Sequence, residues 1–236
     1  MTQIEDRSAP ALSARMLAVC QRMNETGLNQ GTSGNLSVRL DEASLLITPS
    51  GQRYETMRAA DVARLHFDGH WYGPLRPSTE WRIHRDILLH RPDIGAVLHT
   101  HSPHCTALAC LREGLPAFHY MVAVAGGSNI RCAPYAIFGS QMLSDLAIRA
   151  LDGRTACFLA NHGLIALAAS PEKAFALATE IEMLARMFLL ARQAGEPAIL
   201  SDQEMDDILV LFRTYGTAAF PDDELVQGGL SDDLRN

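Results

Sequence analysis

The chain has 236 residues, of which 47% are hydrophobic and 20% are charged, so it can bury a sizeable core within one large domain. Its formal net charge of −7 argues against a nucleic-acid-binding surface, which would normally be basic, and favours a small-molecule partner. No apolar run approaches the roughly 20 residues that cross a bilayer, and the N-terminus lacks the order of a secretory signal. We therefore expect one domain, residues 1–236, in a cytoplasmic protein without a membrane partner.

The cysteines are scattered along the chain without a CxxC pair. They lie mostly inside apolar segments, at Cys20, Cys105, Cys110, Cys132 and Cys157. This pattern predicts buried free thiols in a reducing compartment.

Helices and strands are mixed throughout the chain, with no repeat and no low-complexity linker, which indicates a layered α/β domain. The first helix is predicted in SARMLAVCQRMNETG, where apolar residues recur with a helical period and Gly27 occupies a C-terminal cap position. The stretches GNLSVRL and SLLITPSG predict two paired strands. VARLHFDGHWYG predicts a hairpin, because its DG dipeptide favours the positive φ angles of a tight primed turn.

The second helix is predicted in PSTEWRIHRDILLHRP, capped by Ser78 or Thr79, with Glu80 in its first turn and Pro92 at its end. IGAVLHTH is typical of a buried strand, and TACFLA and LIALAA predict two strands around an NHG turn. Two long helices are predicted in PEKAFALATEIEMLARMFLLARQAG and SDQEMDDILVLFRTYG. We expect the polar tail, residues 220–236, to fray.

His99 and His101 form an HxH pair at the end of the buried strand. Because side chains two apart on a strand point the same way, both imidazoles are expected on one face, a few ångströms apart. That arrangement suits two ligands of a divalent ion, in a site that leaves one position for substrate or water. In an isolated HxH pair, one histidine is more often a hydrogen-bonded core residue and the other is solvated. Other residues must therefore decide whether this pair binds a metal.

A third ligand has five candidates, which are His84, His90, His104, His119 and His162. His162 is favoured, since it lies in a turn between two apolar strands that can hold it rigidly. The SPH segment is expected to turn the chain into a helix and carry His104 away. His84 and His90 lie on an amphipathic helix, a pattern that favours exposed side chains. Periodicity leaves the choice open.

Three loops combine glycine with serine, threonine or asparagine: GTSGNLS, TPSG and PSTEW. Their backbone N–H groups and hydroxyls could bind a phosphate, above all where a loop opens a helix. Each loop alone is more often an ordinary turn or cap. The sequence has no Walker or GxGxxG motif, so nucleotide binding gains little support.

Eight motifs occur in the order found in class II aldolases of the aldolase/adducin family, and the resemblance runs from about Leu28 to Gly216. The motifs are LNQGTSGNLSVR, LLITPSG, PSTEWRIH, AVLHTHSPHCTALA, FHYMVAVAGG, CAPYAIFGS, NHGLIAL and FRTYG. The resemblance implies a three-layer α/β/α fold with a mostly antiparallel central sheet. It also implies a homotetramer with sites between subunits.

The resemblance implies a zinc ion, or another divalent transition metal such as manganese or cobalt. The implied ligands are His99, His101 and His162, with Glu80 beside them. In the family, the glutamate at this position completes the metal site at rest and acts as a base when substrate binds.

The resemblance also assigns the substrate contacts. The phosphate would lie among Gly34, Asn35, Ser50, Gly51, Ser78 and Thr79. Phe138 matches a pocket aromatic, and Tyr120 and Tyr215 match tyrosines that handle the proton on the departing aldehyde oxygen. Tyr215 would serve the site of a neighbouring chain.

The implied reaction is the retro-aldol cleavage of a ketose 1-phosphate to dihydroxyacetone phosphate and an aldehyde. Fuculose, 5-deoxypentulose and methylthioribulose 1-phosphates are the candidate substrates. The residue types suit this chemistry, since a metal acts as a Lewis acid, a carboxylate as a base and a phenol as a proton donor. Lys173, the only lysine, is expected at the surface, which disfavours a Schiff-base route.

Three alternatives stay open. A sugar-phosphate 4-epimerase of the family would carry aspartates at the positions of Glu80 and Tyr120. A methylthioribulose-phosphate dehydratase would use the same metal ligands. An adducin-like binding module would have lost the metal site, which the four implied ligands argue against.

Overall fold

A computed structural model describes residues 8–212. Eight strands form one mixed sheet in the order β4-β3-β2-β1-β5-β8-β7-β6. The strands are β1 Asn35–Arg39, β2 Ser44–Ile47, β3 Ala63–His66, β4 Trp71–Tyr72, β5 Ala96–Thr100, β6 Arg131–Ala133, β7 Ala156–Leu159 and β8 Gly163–Ala168. Every neighbouring pair is antiparallel except β6 with β7, which is parallel.

Helices cover both faces of this sheet. They are α1 Ala9–Glu25, α2 Trp81–His90, α3 Pro103–Leu111, α4 Gln141–Ala150, α5 Pro171–Ala194 and α6 Asp202–Phe212, with short 3₁₀ segments at Ala59–Asp61 and Tyr120–Ala125. Buried residues of α1, α3 and α5 share one apolar core with Leu98 of β5. Those of α2 and α4 share the other core with Val97. Adjacent strand residues thus point to opposite faces, and the predicted three-layer fold with a mostly antiparallel sheet is confirmed.

The β3–β4 hairpin is present, but its turn differs from the predicted one. Leu65 pairs with Trp71, and the Gly69 N–H donates to the His66 carbonyl at 2.9 Å. Gly69 has a φ of 98°, whereas Asp68 is not among the residues with positive φ. A two-residue type I′ turn would need positive φ at both Asp68 and Gly69. The strands are therefore joined by a longer loop that Gly69 closes.

The start of α2 also differs from the prediction. The helix begins at Trp81 with Glu80 in the cap position, so neither Ser78 nor Thr79 is its N-cap. The Ser78 hydroxyl instead accepts the Glu80 N–H at 3.2 Å, in a turn that precedes the helix. This turn places Glu80 at the N-terminal end of α2. Its side chain is directed toward His99 of the sheet rather than along the first helical turn.

The cysteines are free thiols, but not all of them are buried. Cys20, Cys105 and Cys157 are buried, Cys132 is half-buried and Cys110 is exposed. Cys110 follows the buried Leu108 and Ala109 on α3, and the helical rotation per residue turns it toward solvent. Among the helices of residues 8–212, none is both long and apolar enough to cross a membrane.

Candidate active site

Three histidines meet at the C-terminal end of β5, an interior strand of the sheet. The Nε2 atoms of His99 and His101 are 3.0 Å apart. The His162 ring lies 4.7 Å from the His99 ring and 4.9 Å from the His101 ring, measured between centroids. One nitrogen of each histidine lies within 4.8 Å of the others, which makes this cluster a candidate metal site.

His162 reaches the cluster from the turn between β7 and β8. Asn161 precedes it with a φ of 55°, and the Asn161 N–H donates to the Ala109 carbonyl at 2.8 Å. The His162 N–H donates to the Leu159 carbonyl at 3.0 Å, which closes the turn. The backbone therefore fixes the direction in which this side chain leaves the sheet.

The protonation of the buried histidines suits metal binding. The His99 Nδ1–H donates to the Leu164 carbonyl at 3.0 Å, which leaves the Nε2 lone pair facing the cluster. Burial lowers the pKa of His99 to about 3 and also lowers the pKa of His101. Both imidazoles are therefore neutral at pH 7, the form that ligates a metal.

Glu80 borders the histidine cluster. Its Oε2 lies 3.3 Å from the His99 Nε2, and its Oε1 lies 3.3 Å from the His162 Nε2. Burial raises the pKa of Glu80, but the imidazoles of His99 and His162 and the Asn35 amide lower it further than burial raises it, so the carboxylate is ionised at pH 7.

The donor set fits a metal ion. The Glu80 Oε1 is buried and accepts no hydrogen bond from the part of the chain that the structure describes. A buried carboxylate oxygen without a hydrogen-bond partner, beside three imidazoles, is the environment that a divalent cation would complete. Zinc readily takes such nitrogen and oxygen ligands.

A cavity of about 390 Å³ opens above this cluster. Its lining includes Glu80, His101 and His162. The loops after β2, before β1 and before α2 also line it. The residues that the resemblance assigns to the phosphate and the pocket aromatic all line the cavity: Gly34, Asn35, Ser50, Gly51, Ser78, Thr79 and Phe138. The cavity therefore joins the candidate metal site to hydroxyl and backbone donors that could bind a phosphate.

The loop before β1 approaches the metal site closely because Gly34 lacks a side chain. Gly34 has a φ of +70°, and a Cβ at this position would lie 2.7 Å from the His99 carbonyl oxygen. The Asn35 amide, next along the chain, donates to the Glu80 Oε2 at 2.9 Å. The glycine therefore lets the loop before β1 pack closely against the backbone of His99 on β5.

Four cavity residues were not predicted individually: Thr32, Ser33, Tyr135 and Asn161. Thr32 and Ser33 lie in the GTSGNLS loop, which was predicted as a whole. Tyr135 precedes Phe138 in the CAPYAIFGS motif, so that motif could have indicated it. Asn161 lies in the predicted NHG turn, but a turn pattern does not indicate that the residue lines a cavity.

The prediction that His84 is exposed is wrong. Its side chain is completely buried and lies between Ser37 and Asn35 of β1. An amphipathic pattern counts histidine as polar and outward-facing, but here the facing strand supplies polar partners. The exposed position predicted for His90 agrees with the structure.

Within the described part of the chain, Tyr120 does not line the cavity. Tyr120 is about half-exposed, and its ring stacks on the His119 ring at a centroid distance of 4.8 Å. Tyr215 lies outside the described residues. His104 is carried away by α3, as expected, and its Nδ1 lies 2.6 Å from the Glu182 carboxylate.

Residues 14–189 match the family described as Class II Aldolase and Adducin N-terminal domain. The chain belongs to this family. The resemblance to the class II aldolase/adducin family is thereby confirmed, and L-fuculose-1-phosphate aldolases, which the motifs particularly resemble, are among the matching proteins.

Relatives with known names cover nearly the whole chain. It is 48% identical to 5-methylthioribulose-1-phosphate/5-deoxyribulose-1-phosphate aldolase from Rhodospirillum rubrum, over 89% of this chain and 94% of that protein. It is 45% identical to an L-fuculose phosphate aldolase from Escherichia coli, over 87% and 95%. A solved L-fuculose 1-phosphate aldolase superposes with a TM-score of 0.83 at 39% identity, over 86% and 96%. The prediction that the chain is an enzyme, a class II aldolase among the lyases, is confirmed.

Proposed function

We propose that this class II aldolase uses zinc to cleave a ketose 1-phosphate into dihydroxyacetone phosphate and an aldehyde. The observation that carries the proposal is the meeting of three histidines and Glu80 in a cavity otherwise lined by glycine, hydroxyl and amide groups. The zinc ligands would be His99, His101, His162 and Glu80. Bound zinc, or manganese or cobalt in its place, would supply a Lewis acid that stabilises negative charge developing on the substrate oxygens.

Glu80 is the proposed base. It is ionised and buried, and only its Oε2 is held by an amide donor within the described residues. The oxygen without a hydrogen bond would complete the metal site at rest. Once substrate binds, the carboxylate would leave the metal and take or return a proton at the carbon alpha to the substrate carbonyl.

The phosphate is proposed to bind among Gly34, Ser50, Gly51, Ser78 and Thr79. Loops of this kind present backbone N–H groups and hydroxyls rather than charged side chains. Asn35 lines the same cavity and also contacts Glu80, so it would link the phosphate wall to the base.

Tyr120 and Tyr215 are proposed to handle the proton on the departing aldehyde oxygen, since a phenol can donate to it. Tyr120 is half-exposed and does not line the cavity of its own chain. We also propose the homotetramer that the family resemblance implies, in which Tyr215 of one subunit would complete the site of another.

The substrate is proposed to carry an apolar end on its aldehyde half. Tyr135 and Phe138 line the cavity, and their side chains are 57% and 65% exposed. Aromatic surface of this extent could cover a methyl or methylthio group. Relatives of the chain are named for 5-deoxyribulose, methylthioribulose and fuculose phosphates, all of which fit this description.

The reaction is proposed to take place in the cytoplasm, with a small phosphorylated sugar as partner and without nucleic acid or membrane. The net charge of −7 and the free thiols support this.

The test supplies fuculose, rhamnulose, ribulose, 5-deoxyribulose and methylthioribulose 1-phosphates in parallel and measures the release of dihydroxyacetone phosphate. We expect release from the substrates with an apolar end, and none with the His99→Ala variant. An epimerised or dehydrated sugar phosphate as the product, with no dihydroxyacetone phosphate, would refute the proposal in favour of another reaction of the fold.

A further inference from the structure

Four polar side chains form a buried row between β1 and α2. Ser37 and His84 have no exposed surface, Asn35 is 5% exposed and Glu80 is 7% exposed. The Ser37 Oγ lies 2.7 Å from the His84 Nδ1, and the His84 Nε2 contacts the Asn35 Oδ1. The Asn35 Nδ2 lies 2.9 Å from the Glu80 Oε2, which ends the row at the histidine cluster.

The backbone explains why these four residues meet. Asn35 and Ser37 are two apart on β1, so they share the face that α2 covers. Glu80 and His84 are four apart at the start of α2, so they lie on one side of the helix. Asn35 is paired with His99 across the sheet, which brings the row to the metal ligands.

When His84 is neutral, the hydrogen bonds of the row all run the same way, each residue donating to the next from Ser37 to Glu80. Burial lowers the pKa of His84 to about 4, against an opposing effect of Glu80, so the imidazole carries one N–H at pH 7. A carboxylate cannot donate, so Asn35 must turn its NH₂ group to Glu80 and its Oδ1 to His84. The His84 Nε2–H then donates to Asn35, and the Nδ1 accepts from the Ser37 hydroxyl.

We propose that His84 is a positioning residue that fixes the Asn35 amide with its NH₂ group toward Glu80, and so holds the Glu80 carboxylate beside the metal ligands. The inference rests on the proposed role of Glu80. Without the His84 N–H, the buried Asn35 Oδ1 would lose this donor, and the amide would be held from the Glu80 side alone. A buried polar row is costly unless every member is bonded, which explains why serine and asparagine face this one histidine.

The first experiment reads the histidine directly. Long-range ¹H–¹⁵N spectra of the ¹⁵N-labelled holoenzyme distinguish the two imidazole tautomers, and the signals of His84 are those lost in His84→Gln. We expect the Nε2–H tautomer at pH 7. An Nδ1–H tautomer or a doubly protonated ring would overturn the inference, because the donor direction would be reversed or undefined.

The second experiment uses three variants. His84→Gln keeps an N–H that can reach the position of Nε2, whereas His84→Leu removes it. Leu88→Ala on the same helix, equally buried, is the control for loosened packing. The readouts are zinc affinity by chelator competition, and kcat and KM for the ketose phosphate.

In His84→Leu we expect kcat or zinc affinity to fall by about 10- to 100-fold, the usual effect of removing a group that orients a metal ligand. His84→Gln should recover most of the loss, and the folded Leu88→Ala protein should keep the kcat and zinc affinity of the parent. Equal losses in His84→Leu and Leu88→Ala, or no loss in His84→Leu, would overturn the positioning role.

Failure of the proposed reaction would be distinguishable from failure of this inference. If the parent protein releases no dihydroxyacetone phosphate, the aldolase proposal fails. The tautomer of His84 and the zinc affinities of the variants would still support or contradict the positioning role.

Discussion

Glu80 is the residue at which metal binding and proton transfer are proposed to meet, and Glu80→Gln separates them. Glutamine keeps the shape of the side chain and an oxygen for the Asn35 amide, but it cannot act as a base. We expect the variant to keep most of its zinc and to lose hydrogen exchange between dihydroxyacetone phosphate and D₂O, measured by mass spectrometry.

The control for that experiment is His99→Ala, which removes the buried imidazole of a proposed metal ligand. It should lose both the metal and the exchange. Full exchange in Glu80→Gln would show that another group is the base.

Gly34 and Gly27 provide a matched pair of substitutions. Both have positive φ, +70° and +72°, so alanine adds a similar backbone strain of about 1–2 kcal/mol at each. A Cβ at Gly27 meets nothing within 4 Å, whereas one at Gly34 would lie 2.7 Å from the His99 carbonyl oxygen. We expect Gly34→Ala alone to raise KM for the ketose phosphate, with stability followed by urea unfolding. Equal KM values in the two variants would remove the loop before β1 from the proposed phosphate site.

Single residues were predictable where one backbone period determined their direction. The strand period predicted that His99 and His101 share a face, and they lie within hydrogen-bonding distance. His162 could only be favoured as the third ligand, because its distance from His99 and His101 depends on the pairing of β5 with β8. His84 was predicted wrongly, since nothing in its own helix shows that β1 offers Ser37 and Asn35 as partners.

At the scale of elements, Asp86 joins α2 to α4. Its carboxylate accepts from the Gln141 Nε2 and the Ser144 Oγ, each at 2.7 Å, and from the Arg85 Nε at 2.7 Å. Because hydrogen bonds to a charged group contribute about 1.5–3 kcal/mol, we expect Asp86→Ala to lower the free energy of unfolding at pH 7 by about that amount. Asp145→Ala is the control: this exposed carboxylate also accepts from Gln141, and its loss should change stability by less than about 0.5 kcal/mol.

The effect of Asp86 should depend on pH. Burial raises its pKa, but the hydrogen bonds from Arg85, Gln141 and Ser144 lower it further, so the folded-state pKa is depressed. The contribution of this carboxylate is therefore complete above its unfolded pKa of about 4 and is lost as the pH falls below that value. Urea unfolding of the parent and of Asp86→Ala should give converging stabilities under acid conditions. A constant difference between pH 7 and pH 3 would contradict the assignment.

Most elements were predictable from the sequence, but β6 and α4 were not predicted, and neither were the exact ends of several others. The apolar periods indicated α1, α2, β5 and the β7–β8 pair, all of which are present. The turn of the β3–β4 hairpin was misjudged because a DG dipeptide is compatible with a longer glycine-closed loop. The start of α2 was misjudged because the Ser78 hydroxyl bonds the backbone N–H of Glu80, two residues on, before the helix begins.

At the scale of the molecule, the fold followed from the family resemblance rather than from periodicity. Apolar patterns indicated layers of helices and strands, but they cannot order the eight strands. Beyond the β1–β4 meander, β1 pairs with β5, β5 pairs with β8, and β6 runs parallel to β7. The predicted tail, residues 220–236, lies outside the described residues, and the single-domain interpretation stays a prediction.

The proposed homotetramer makes two predictions at this scale. Analytical ultracentrifugation should give four times the 25.8 kDa mass of one chain. Co-expression of His99→Ala with Tyr215→Phe should recover activity that neither variant has alone, because some sites would combine intact metal ligands with an intact tyrosine from a neighbour. A monomeric mass, or no recovery in mixed assemblies, would contradict sites shared between subunits.

The most direct test of the whole account is the metal dependence of carbon–carbon bond cleavage. The protein would be stripped with a chelator, and the release of dihydroxyacetone phosphate from 5-deoxyribulose 1-phosphate would be followed before and after zinc is restored. We predict that release stops on removal and returns with one zinc per chain, but not in His99→Ala. Release that continues in the stripped protein would contradict the account.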